Sequence, residues 1–216
     1  MKPEDEQLFF GHDLATPFTN LRGSHFLLKM ALKTPGPDAL EALDILDANS
    51  HFLERMLGWY WRIREIEGQL QPAAPYPSQE VLARVNQRIA DEAIALRPPM
   101  PAAMEGRIQI PLDPLVTGLL GAAITLRSAS ESEAAWTFEA GDGVVWSRYS
   151  LEGDEYALDP SRLFRKVYWP SRTKVNGWSD PCLPYLRAVL EPFGGGLELT
   201  WEEGRWELAA SVPLVP

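Results

Sequence analysis

A double apolar stripe constrains this chain more than any other feature. Between Asp38 and Glu67 a seam runs through Ala42, Leu46, Asn49, Leu53, Met56, Tyr60 and Ile63, alternating steps of four and three. A second row, Ile45, Phe52, Trp59 and Ile66, recurs every seven residues on the same segment. That spacing predicts a coiled-coil-like helix with two apolar faces. One stripe is covered by one neighbour; two stripes need more than one partner helix. The preceding segment supplies only one. There Leu14, Phe18, Leu21, Leu28 and Leu32 form a seam, with His25 in its gap, and Thr34-Pro35-Gly36-Pro37 ends it before Asp38 caps the next helix. Residues 1–70 therefore read as a helical hairpin, and a homodimeric four-helix bundle covers both stripes. The alternative is a hairpin that packs on the rest of its own chain.

Bulk properties exclude several functions. A length of 216 residues with 45% hydrophobic content allows one large or two modest folded domains. The net charge of −10 argues against nucleic acid and against anionic membranes as partners. A lone cysteine, Cys182, excludes an internal disulfide and fits a reducing cytoplasm. The amino terminus is acidic and polar, unlike a signal peptide, and the longest largely apolar run, Leu115 to Leu126, is too short to span a bilayer. Three histidines without a matching carboxylate or cysteine cluster predict no metal site.

Chemistry concentrates at Gly11-His12-Asp13-Leu14-Ala15-Thr16-Pro17. His12 stands beside a carboxylate, and Thr16 lies one helical turn on, on the same face. His12 is off the Leu14–Phe18–Leu21 seam, so exposure is expected, whereas His25 fills a seam position and His51 lies off both stripes. The run resembles the phosphoacceptor box of sensor histidine kinases, a His-Glu/Asp-x-x-Thr/Asn-Pro pattern matched here by His12, Asp13, Thr16 and Pro17. Ala15 departs from the arginine common at its place.

The remainder, 71–216, reads as an α+β domain with helices over one face of a sheet. After a proline-containing connection from Gln69, Ser78 should cap a helix to about Leu96 that buries Val81, Leu82, Val85 and Ile89. Pro98 to Glu105 reads as a loop and Arg107 to Ile110 as a short strand. Asp113-Pro114 should open a helix to about Arg127. A hairpin is expected around Gly141-Asp142-Gly143, a short helix after Asp159-Pro160, a helix from Pro181 to Phe193 ended by Gly194, and a closing hairpin around Gly204. This order resembles the ATP-binding domain of histidine kinases, which implies a Bergerat-like α/β sandwich. Asp113 with Leu115, Val116, Leu119 and Leu120 is similar to the start of the N-box helix. Arg162-Leu163-Phe164 is similar to the run into the F-box, and Gly194-Gly195 to the glycine pair before the last hairpin.

The nucleotide motifs are missing from that resemblance. The magnesium-holding asparagine falls on Ala122. The Asp-x-Gly-x-Gly of the adenine site falls near Ser150 to Asp154, which has one glycine out of register and two acidic residues, Glu152 and Asp154. The lid's Gly-x-Gly falls among Trp178 to Cys182, where there is no glycine. Glycine is needed where backbone takes positive φ and approaches phosphate. The resemblance thus implies a cytoplasmic dimeric histidine phosphotransferase without autokinase activity. His12 would be the phosphoacceptor, with Asp13 and Thr16 in support. The partners would be receiver domains of a hybrid kinase or response regulators. No cofactor of its own is expected, the magnesium coming with the receiver. A non-catalytic pseudokinase-like scaffold and a divergent active kinase are the alternatives.

Overall fold

The computed structural model describes residues 15–31, 62–66, 70–94, 96–101, 104–128, 134–153 and 182–216, with single positions at 37, 46 and 58. The first helix, α1, is Ala15–Ala31. Its inward side runs through buried Ser24, with Leu21 and Leu28 half-buried beside it. Pro37, Leu46 and Gly58 are helical, as are residues 62–66, where Ile63 from the seam and Ile66 from the second stripe are both buried.

The α+β part begins with β1 (Tyr76–Pro77) and α2 (Gln79–Asp91). Helix α2 buries Val81, Val85 and Ile89, the i, i+4, i+8 row expected of a helix on a core. Ser78 precedes it but makes no side-chain cap, because its own backbone is already helical at φ −57° and ψ −30°. Its N–H instead donates to the Gly106 carbonyl at 3.0 Å. The helix stops at Asp91, short of Leu96. Ala93 takes φ 50°, and the Ile94 N–H donates back to the Ile89 carbonyl at 3.0 Å. This is the geometry that a glycine usually provides at a helix end. Then follow β2 (Met100–Pro101), β3 (Arg107–Ile108) and α3 (Leu112–Ser128), the last opening one residue before Asp113. Next come β4 (Ala134–Gly141) and β5 (Val144–Glu152). Helix α4 (Cys182–Leu190) continues as a 3-10 turn to Phe193, closed by Gly194 at φ 74°. Strands β6 (Gly196–Glu202) and β7 (Arg205–Pro213) finish the domain.

The main sheet has the order β2-β4-β5-β7-β6. All pairs are antiparallel except β2 with β4, where Met100 and Pro101 lie parallel to Thr137 and Phe138. Those two residues were expected in a loop; two residues are too few for an alternating pattern to show. Both hairpins turn through two residues of positive φ, Asp142-Gly143 at 52° and 78° and Glu203-Gly204 at 50° and 80°. Such turns match the right-handed twist of the strands. Strand β5 alternates cleanly, with Val145, Ser147, Tyr149 and Leu151 turned to the helices. Its opposite face carries Trp146 and Arg148. The helix expected after Asp159 and the Arg162–Phe164 run lie outside the described residues.

Candidate functional site

Helix α1 carries the one sequence-predicted site residue that falls among the described residues: Thr16 lies in its first turn. His12 and Asp13 lie outside them. Seen down the axis, at about 100° per residue, Thr16, Thr19, Gly23, Phe26 and Met30 share one face. The spacing of His12, four before Thr16, is in phase with that row. The row is open: Thr19 and Gly23 are exposed, and Phe26, Leu27 and Met30 keep 62%, 52% and 57% of their surface. A Cβ added to Gly23 meets nothing within 4 Å. Phe26, Leu27 and Met30 were missed by following only the buried seam. A four-three count from His12 passes through Phe26 and Met30 but not Leu27, and does not say that any of them is exposed.

The helical layer of the second domain is closed where α1 is open. Gly118 on α3 sits so close to α4 that a Cβ there would lie 2.9 Å from Leu186 Cδ1 and 3.1 Å from its Cα. Two turns on, the Thr125 hydroxyl lies 3.0 Å from the Gly121 carbonyl and 2.8 Å from Cys182 Sγ. A carbonyl only accepts, so the hydroxyl donates to Gly121 and the thiol donates to the hydroxyl. Ala122, between these contacts, is buried. Behind α3 the residual void is about 10 Å³, lined by Val81, Ile108, Leu115, Leu119 and Phe138 among others. A larger cavity of about 380 Å³ opens at the β6–β7 tip, between Thr200, Glu202, Glu203, Arg205 and Glu207. Three carboxylates against one guanidinium make it unfavourable for a triphosphate. Among the described residues no group of three or more His, Cys, Asp or Glu could hold a metal.

Gly153 has a local task. Its N–H donates to the Gly204 carbonyl at 3.0 Å, and its own carbonyl accepts the Trp201 indole N–H at 3.2 Å. It therefore ties the end of β5 to the last hairpin. On the outer sheet face Arg148 bridges Glu139 at 2.9 Å and Glu207 at 2.7 Å and lies 4.8 Å over the Trp146 ring. Partial burial would lower its pKa, but the two carboxylates outweigh it and the net shift is upward. On α4, burial pushes the Tyr185 phenol up, while Arg62 and Arg88 pull it down and Glu65 adds a smaller upward push.

No protein-family model matches the sequence, and no curated protein is similar to it. Solved structures are. The structure of histidine kinase ThkA in complex with response regulator protein TrrA superposes with a TM-score of 0.64 at 17% identity, over 98% of this chain and 64% of that one. The Acinetobacter baumannii histidine kinase AdeS gives 0.59 at 14% identity, over 94% of this chain and 98% of that one. This is a histidine-kinase-like fold. A mycobacterial sensor histidine kinase, MprB, matches a smaller share, 67% of this chain and 99% of its own, with a TM-score of 0.52 at 14% identity. The first two matches cover nearly all of this chain, so the likeness is not confined to the α+β part. Among the described residues no helix is long and apolar enough to cross a membrane.

Proposed function

We propose that this chain is a histidine phosphotransferase of two-component signalling, carrying a phosphoryl group on His12 between receiver-domain aspartates. The observation that carries the reading is the exposed row on α1, in phase with the His12–Asp13–Thr16 run. Apolar side chains left open on one helix face mark a partner surface. ThkA, which matches 98% of this chain and 64% of its own, was solved in complex with a response regulator. A receiver seated on Phe26, Leu27 and Met30 would have its aspartyl phosphate near the start of the helix.

In the transfer, a neutral imidazole nitrogen of His12 attacks phosphorus. The N–P bond forms as the acyl P–O bond breaks, and the receiver's aspartate leaves as a carboxylate. Asp13 orients the ring and stabilises or accepts the proton on its other nitrogen as positive charge develops. Thr16 positions the partner or a water. Magnesium belongs to the receiver. Ile63 and Ile66 are covered by the chain's own core, and a second copy opposite the hairpin would cover the stripes ahead of them, giving a cytoplasmic homodimer as the working unit.

The α+β domain serves as a docking wall without ATP chemistry. Ala122 offers no oxygen to magnesium, Gly153 is bonded to the last hairpin, and Cys182 is buried against Thr125. The deciding experiment is phosphoryl uptake from a panel of phosphorylated receivers. Wild type should gain acid-labile phosphate, His12→Ala none, and Asp13→Ala about a hundredfold more slowly. Labelling of His12→Ala would defeat the assignment. Tight receiver binding without uptake from any donor would make the chain a scaffold, and micromolar affinity for Mg-ATP in calorimetry would make it a kinase.

A further inference from the structure

The hairpin and the α+β domain do not meet as two separate cores. Ile63 and Ile66, at 2% and 9% exposure, belong to the same continuous apolar cluster as Val81, Val85 and Ile89 of α2, Leu183 and Leu186 of α4, and the inner face of the sheet. They come from the end of the second hairpin helix, before the connection that starts at Gln69. The charges agree with the packing. Tyr185 on α4 lies within electrostatic reach of Arg62 and Glu65 from the hairpin end and of Arg88 from α2. Arg88 is itself anchored, to Glu92 at 2.7 Å and to the Thr117 hydroxyl of α3 at 2.8 Å. Four helical segments thus converge on one place.

We infer that residues 62–66 are a structural member of the helical layer over the sheet, so that the hairpin and the α+β domain form one cooperative unit. An apolar contact inside a shared core cannot open without exposing its surface, unlike a polar contact between finished domains. The α+β domain is therefore held at a fixed place beside the hairpin. A domain that had to carry a nucleotide to His12 and withdraw again would need that contact to be weak. Among the described residues the side chains that join the hairpin end to that core are Ile63 and Ile66, both well buried.

The test reads stability on the full-length chain, so it succeeds or fails apart from the phosphotransfer reading. Calorimetry of the wild type should give one endotherm. Ile63→Ala leaves a cavity in the shared core and should lower that single transition by roughly 5–10 °C. Hydrogen exchange should quicken together in peptides from the hairpin and from β5 and β7. Where Ile63→Ala does not fold, Ile63→Val should shift the same transition by a few degrees. Two endotherms in the wild type, or faster exchange confined to the hairpin peptides in either variant, would overturn the inference.

Discussion

Two helices of this chain carry a glycine on a key face, and they use it in opposite ways. On α1, Gly23 stands in an open row with nothing within 4 Å of a would-be Cβ. On α3, Gly118 lets α4 approach until Leu186 fills the place a side chain would take. The apolar residues follow suit. Phe26, Leu27 and Met30 of α1 remain exposed, whereas Leu115, Leu119, Ala122 and Leu126 of α3 are buried. A surface that keeps large apolar side chains in water keeps the free energy of covering them for a later partner. An interior that has closed to helix–helix contact has already realised it. The contrast teaches where this histidine-kinase-like fold has room for function. Among the described residues that room lies on the exposed face of α1, while α3 and α4 are packed against each other.

The largest effect should come from filling the closed side. Gly118→Val puts a branched side chain where a single Cβ already meets Leu186 at 2.9 Å, and its Cα at 3.1 Å. A flexible side chain could turn away, but the Cα cannot move without shifting the whole of α4. The expected loss is about 3 kcal/mol, or roughly 6–12 °C in the midpoint of a circular-dichroism melt. An unchanged midpoint would mean that α3 and α4 can separate cheaply, and the closed side of the comparison would be lost.

Charge on the open side should act on association instead of folding. Phe26→Asp and Met30→Asp place carboxylates at exposed positions, so thermal stability should change by no more than about 0.5 kcal/mol. Receiver affinity should fall at least tenfold, about 1.4 kcal/mol or more, because the apolar anchors of the row are removed. Titration calorimetry against the cognate receiver measures it. Unaltered affinity with unaltered folding would show that the row is not the docking face.

Much of this contrast could be read from residue order. The period-two pattern of β5 from Val145 to Leu151, the turn at Asp142-Gly143 and the row Val81–Val85–Ile89 each state their structure locally. The two stripes are legible too, but Ile63 and Ile66 at their ends are buried in the core of the same chain, which the stripe spacing alone does not distinguish from a partner copy. What sequence did not reveal depends on contacts distant in the chain. Strand β2 exists only because Met100 and Pro101 meet Thr137 and Phe138. The stop of α2 at Ala93 uses a left-handed residue that is not glycine, so no letter announces it. Ser78 looks like a cap but is held by the Gly106 carbonyl, and its hydroxyl oxygen finds no partner among the described groups. The site divides the same way. The His12–Thr16 run is plain in the sequence, while the exposure of Phe26, Leu27 and Met30 is visible only once the inward side of α1 is known to pass through Ser24.

The smallest effect should also separate the two glycines most cleanly. Gly23→Ala adds a methyl group in open space on a helix whose backbone any residue can adopt, so no strain is expected. Alanine restricts the unfolded chain and favours the helix, and the gain should be about 0.5–1 kcal/mol, or roughly 1–4 °C. The sign is opposite to that expected at Gly118, although both changes enlarge a glycine in a helix. Binding supplies the second readout. A partner that packs its backbone closely over the row would meet the new methyl, so affinity should drop while stability rises. A partner that rests only on Phe26, Leu27 and Met30 would leave affinity unchanged. A fall in stability would show instead that Gly23 is already covered by another part of the protein, and the open side of the comparison would fail at its centre.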